Sequence, residues 1–122
     1  MRNFNPHSSQ SARAVQAWQI LIGMAMNRQT TTYLGLSKLM FERDAAGVLA
    51  QILGHIAFYC NDNNLPPLTS IVVGGGRGVP GEGIPTDQAA IDQKREQVYK
   101  ENWYDVYPPS EKELAKAYSD HA

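Results

Sequence analysis

The stretch LPPLTSIVVGGGRGVPGEGIP, Leu65 to Pro85, decides how this chain is read. Strand-forming Ser70-Ile71-Val72-Val73 runs straight into a glycine-rich loop, and Gly76 to Gly81 satisfies the pattern G-x-G-x-x-G. In a dinucleotide fingerprint the third glycine opens a helix whose N-terminus meets the pyrophosphate. Here Pro80 precedes Gly81, and Glu82, Gly83, Ile84 and Pro85 follow, a run that does not start a helix. Glu82 would face the phosphate, and no Gly-Lys-Ser/Thr completes a P-loop. The stretch reads instead as a strand followed by a β-hairpin arm, with glycines supplying the turns.

Working back toward the N-terminus, Ser8 or Ser9 caps a helix carrying Val15, Trp18, Leu21, Ile22 and Ala25 at helical spacing as far as about Asn27. Residues 28–32 form a polar, β-branched break. Thr32 then caps a short helix from Tyr33 to Met40, with Leu36, Leu39 and Met40 on its apolar face. Asp44 is the expected cap of a third helix. It carries Val48, Leu49, Ile52, Leu53, Ile56 and Phe58 or Tyr59, and Asn61-Asp62-Asn63-Asn64 stops it near Cys60. Trp18, Leu36, Leu49, Ile52 and Leu53 form the predicted core where these helices meet.

Beyond the arm, Gln88 to Glu101 is an amphipathic helix with Ala90, Ile91, Val98 and Tyr99 on one face. Trp103, Tyr104 and Tyr107 make an aromatic strap expected to pack on the body. Ser110-x-x-Glu113 is a capping box for a last helix ending near Ser119. The fold class is α+β and mostly helical. The element order predicts a winged helix-turn-helix over residues 1–84 with a small β-hairpin wing. Residues 85–122 form a C-terminal acidic helical extension packing on that body. The alternative is an ordinary surface loop in a small α+β domain.

The composition limits the function. The chain has 122 residues, with 11 Lys+Arg against 12 Asp+Glu and one cysteine. No apolar run approaches the roughly 20 residues of a membrane span, and MRNFNPHSSQ has no signal core, so a cytoplasmic protein is expected. Residues 1–84 carry a net charge of +2 and residues 85–122 a net of −3. A mildly basic body with an acidic tail falls short of the footprint of a strong DNA binder.

The elements Trp18-Gln19-x-Leu21, Arg28-x-Thr30-Thr31-Thr32-Tyr33-x-x-Leu36, Ala45-Ala46, and Leu65-Pro66-Pro67-Leu68 before Ile71-Val72-Val73 resemble a known family. They look like the DNA-binding domain of the alkylguanine-DNA alkyltransferases, and still more like the catalytically dead alkyltransferase-like proteins. The resemblance spans residues 14–84. It implies a winged-helix scaffold, and it matches Tyr33 to a residue the family presses on the DNA backbone. The family's acceptor strand reads Pro-Cys-His-Arg, whereas here Pro67 is followed by Leu68, Thr69 and Ser70. The family's arginine finger falls near Gly47 and is missing. Repair chemistry is therefore not implied.

No catalytic constellation stands out, so no enzyme activity is expected. Cys60 is followed by Asn61 and Asp62, which do not lower a thiol's pKa, and reads as structural. His7, His55 and His121 are too dispersed for a metal site, and no cofactor is expected. Two functions remain. One is duplex DNA binding, mainly by backbone and shape, through Thr31, Thr32, Tyr33, Lys38, Arg43 and Gln51 at the helix-turn-helix and Arg77 at the wing tip. Only Gln51 on the presumptive recognition helix offers a base-edge donor and acceptor. The other is a protein-interaction module using the apolar third helix and an exposed Trp103, Tyr104 and Tyr107. Such a module would be a small adaptor or inhibitor, for example an anti-defence protein of a phage or mobile element acting on nucleic-acid-processing machinery.

Overall fold

The computed structural model of the chain describes residues 1–74, 79–80 and 88–121, and of 79, 80 and 88 only the backbone. It is α+β and mostly helical. In chain order come α1 (Gln10–Met26), β1 (Thr31–Thr32), α2 (Tyr33–Phe41), α3 (Ala46–Asp62), β2 (Val72–Gly74), β3 (Val79–Pro80), α4 (Gln88–Lys100) and α5 (Glu111–Asp120). Short 3-10 turns occupy Leu68–Ile71 and Trp103–Asp105. Among the described residues, no helix is long and apolar enough to cross a membrane.

The helix starts follow from their caps. Ser9 accepts from the Ala12 N–H and Thr32 from the Gly35 N–H, each removing an orphan donor at a cost of about 1 kcal/mol if lost. Gly35 leaves room there, since a Cβ would stand 3.1 Å from both Thr31 Oγ1 and Thr32 Oγ1 and one of the two hydroxyls would have to shift. The Ser110 capping box is complete: Ser110 Oγ accepts from the Glu113 N–H, and Glu113 accepts from the Ser110 N–H.

The third helix starts differently from the expectation that Asp44 caps it. The cap position is Ala45, and Asp44 Oδ1 accepts from the Ala46 N–H at 3.2 Å. Buried Ser37 does the remaining work, with its Oγ accepting from the Ala45 N–H and donating to the Arg43 carbonyl at 2.9 Å. One hydroxyl from α2 thereby fixes the turn into α3.

The sheet also departs from the expectation. Thr31–Thr32, read as a break, is a strand paired parallel to β2, with Thr31 opposite Val72 and Thr32 opposite Val73. Ser70 and Ile71, read as strand, belong to a 3-10 turn instead. Pro67 has no N–H to pair, and its carbonyl accepts from Ser70, which curls the chain before it extends. β2 pairs antiparallel with β3, placing Val73 opposite Pro80 and Gly74 opposite Val79. The rest of the expected wing, residues 75–78 and 81–83, lies outside the described residues.

α1, α3 and α5 pack against one another, α2 closes one side, and α4 lies over the Leu68–Ile71 turn and α1. All five predicted core residues are buried. Trp18 is the hub, meeting Tyr59 and Trp103 edge-on at centroid distances of 5.8 and 5.6 Å. Of the aromatic strap expected to pack on the body, and read as exposed in the protein-interaction alternative, Trp103 is fully buried, with its Nε1–H donating to the Val98 carbonyl at 2.7 Å, whereas Tyr104 and Tyr107 are exposed. Leu39 and Val48 are corrected the other way: placed on the apolar faces of their helices, they are exposed at 59% and 43%. The face of α3 that meets α1 and α5 is turned away from Val48.

Candidate nucleic-acid interface

The described members of the expected contact set fall on β1, α2, the turn after it, and the first half of α3. Thr31 and Thr32 form β1. The Thr32 hydroxyl accepts from Gly35 at 2.9 Å, and Thr31 Oγ1 makes only a long 3.4 Å bond to the Thr32 carbonyl. Tyr33, the first residue of α2, is half-buried and packs against the core. Lys38 is exposed in the last turn of α2, where a cation complements the helix dipole. About 12 Å of helix separates Tyr33 from the end of α2, so the threonines and the basic residues mark opposite ends of one surface.

Arg43 is exposed in the turn, with its guanidinium 5.9 Å from the Phe41 ring centroid. Together with Gln10 it lines a groove of about 600 Å³, and Gln10 Nε2 donates to Gln51 Oε1. Gln51 is thereby linked through Gln10 to the groove that Arg43 lines, without lining it itself. Arg77 lies outside the described residues. Lys38 and Arg43 are offset by exposed Glu42 and Asp44, so the surface is close to neutral. Its shape is distinctive. Gly47, Ala50 and Gln51 are exposed on α3, Ala46 is half-exposed, and a Cβ added at Gly47 would meet nothing within 4 Å. A glycine in the first turn of a helix that no packing demands leaves backbone open to close approach.

Three features were missed in the sequence. Leu34 and Leu39 on α2 and Val48 on α3 are exposed, with Leu39 and Val48 lining one groove. Arg13 is buried and donates to the carbonyls of Met40 and Asn5 at 2.9 and 2.8 Å and to Gln16 Oε1 at 2.8 Å, with its guanidinium 4.5 Å from the Phe41 centroid. Its spacing gave a signal, since it lies four residues before Ala17 on the inward face of α1. Arg28, in left-handed backbone with φ 54°, donates to both Glu96 oxygens at 2.7 Å and tethers the end of α1 to α4. That hydrogen bond holds the Glu96 carboxyl below its ordinary range.

Reactive groups face inward. Burial pushes the Cys60 thiol up to about 11, against the opposing effect of a backbone hydrogen bond from Leu68. His55 is buried, and its Nδ1 lies 2.9 Å from the Gln51 carbonyl, which fixes Nδ1 as a donor. Leu68, where the alkyltransferase acceptor would stand, is fully buried. Among the described residues, no group of three His, Cys, Asp or Glu side chains is placed to hold a metal ion. No family model matches the chain, and neither the curated proteins nor the solved structures include a match to it.

Proposed function

We propose that this chain is a non-catalytic winged-helix protein that binds duplex DNA mainly by backbone and shape. On this reading β2 and β3 begin the wing, and α2 and α3 are the helix-turn-helix. The single observation carrying it is the open, small-residue face of α3, where Ala46, Gly47 and Ala50 allow the helix backbone to approach a ligand closely and Gln51 supplies the one amide. Lys38 and Arg43 flank that face as phosphate partners. With so few cations, binding is modest and non-specific. The test is a fluorescence-anisotropy titration of random duplex DNA at two salt concentrations. Affinity falling linearly with log salt is expected, with a slope that counts the phosphates neutralised. Absence of binding even at low salt overturns the proposal.

A specific observation favours a second reading, a protein-interaction module acting as adaptor or inhibitor of nucleic-acid-processing machinery. Leu39 and Val48 leave apolar surface exposed along one groove, and the neighbouring charges cancel. Leu39→Glu discriminates the two: it abolishes capture of a protein partner and, for DNA, adds only one more repelling charge.

A further inference from the structure

The N-terminal arm, residues 1–8, divides two cavities. A groove of about 510 Å³ on one side reaches Val15, Pro109 and Glu111, and the groove of about 600 Å³ on the other reaches Leu39, Phe41, Val48 and Ile52. Phe4, Asn5 and Ser8 line both, so the arm is the wall between them. It is lightly held. Residues 1–7 are exposed, Phe4 at 37%, and most of the arm's hydrogen bonds are internal: the Asn5 N–H to Ser8 Oγ, the His7 N–H to Asn5 Oδ1, and the Ser8 N–H to the Asn5 carbonyl. Among the described residues, the one hydrogen bond from residues 1–8 to the body runs from Arg13 Nη2 to the Asn5 carbonyl at 2.8 Å.

We infer that the arm is a displaceable strap seated in a peptide-binding groove, and that its residues 4 and 5 stand in for the ligand. The chemistry of the floor specifies what replaces them. Arg13 is buried, and once the arm leaves, its Nη2–H loses an acceptor, an unmade bond that the interior penalises. A replacement must return a main-chain carbonyl or a carboxylate to that point. The residue before it takes the place of Phe4, which lines both grooves. The ligand class is an extended protein segment with an aromatic or large aliphatic residue followed by a free carbonyl. Arg43, beside Arg13 on the same Phe41 ring, favours an acidic residue next in line, although Glu42 on the rim offsets part of that charge. The groove shares Arg43 and Val48 with the α2–α3 surface, but the inference does not depend on that surface meeting DNA.

A labelled synthetic peptide of residues 1–8 is the probe, titrated against the full chain and its Phe4→Ala variant. Phe4 is 37% exposed and outside the hydrophobic core, so the Phe4→Ala variant is expected to fold and keep its groove while its own arm seats poorly. The Phe4→Ala chain is expected to bind the peptide at least tenfold more tightly than the wild-type chain. A peptide with alanine in place of Phe4 should not bind, and adding Val48→Glu to the Phe4→Ala chain should remove binding. Equal affinity of the two chains, or binding by neither, overturns the inference.

Discussion

His55 on α3 lies parallel to Tyr118 on α5, with ring centroids 4.1 Å apart and planes inclined by only 9°. The stack continues along the seam, since Phe58 meets Tyr118 at 6.0 Å and stacks on His121 at 4.6 Å. His121 Nε2 in turn lies 2.8 Å from Asp62 Oδ1. Alternating rings from two helices therefore join the last helix of the chain to the third. Gly54 makes the close approach feasible, because a Cβ there would stand 3.1 Å from Tyr118 Cε1.

That geometry predicts a context-dependent effect. Glycine inside a helix costs about 1 kcal/mol relative to alanine. Gly54→Ala should recover that stability in a Tyr118→Ala background, where the obstructing ring is absent. In the wild-type background the gain should be cancelled or reversed as the ring is pushed off His55. Urea unfolding of the four chains in this cycle measures the coupling. Identical effects of Gly54→Ala in both backgrounds would show that the ring yields freely.

Gly47 should behave in the opposite way. Nothing crowds it, so Gly47→Ala should stabilise the fold by roughly 0.4–1 kcal/mol. A bulky Gly47→Leu should leave the fold intact yet weaken duplex binding several-fold, because it holds the helix backbone away from the ligand. Undiminished binding by Gly47→Leu in the anisotropy assay would remove α3 from the interface.

Cys60 should be inert in the folded chain. Its thiol ionises only near pH 11, against an ordinary value of 9.0, because burial disfavours the thiolate. Between those values the unfolded chain binds fewer protons than the folded one. This contribution to stability is therefore present below pH 9.0 and lost as pH rises through about 11. Modification by a thiol-specific disulfide reagent at pH 8 should proceed only at the rate of unfolding. Rapid reaction under native conditions would contradict the burial.

Arg77 is a prediction from the sequence alone. If it contacts a phosphate from the wing, Arg77→Ala should lower the log–log salt slope of duplex binding by about one and leave the thermal midpoint unchanged. A lowered midpoint would instead make the loop part of the packed fold.

Local physics set much of this molecule from sequence. Ser9, Thr32 and the Ser110–Glu113 box start their helices because a side-chain oxygen three residues before a free N–H satisfies it wherever the helix sits. Periodicity likewise identified Trp18, Leu36, Leu49, Ile52 and Leu53 as core, since an apolar stripe must be covered. The polarity of the turn around Arg43 and the isolation of Gln51 on α3 were legible for the same reason. What covers each stripe was not. Val48 and Leu39 sit at the edges of their stripes, and only the angle at which α2, α3 and α1 cross leaves them in solvent. Trp103 is buried because the chain after α4 returns it onto Trp18 of α1, a long-range contact without a local signal, while the Val98 carbonyl only five residues earlier accepts its indole N–H. Thr31–Thr32 becomes a strand only because β2, forty residues later, arrives alongside. Arg13 could be read as an anomaly on an inward face, but its three acceptors come from the arm, its own helix and the end of α2, and only the tertiary structure brings them together around one guanidinium.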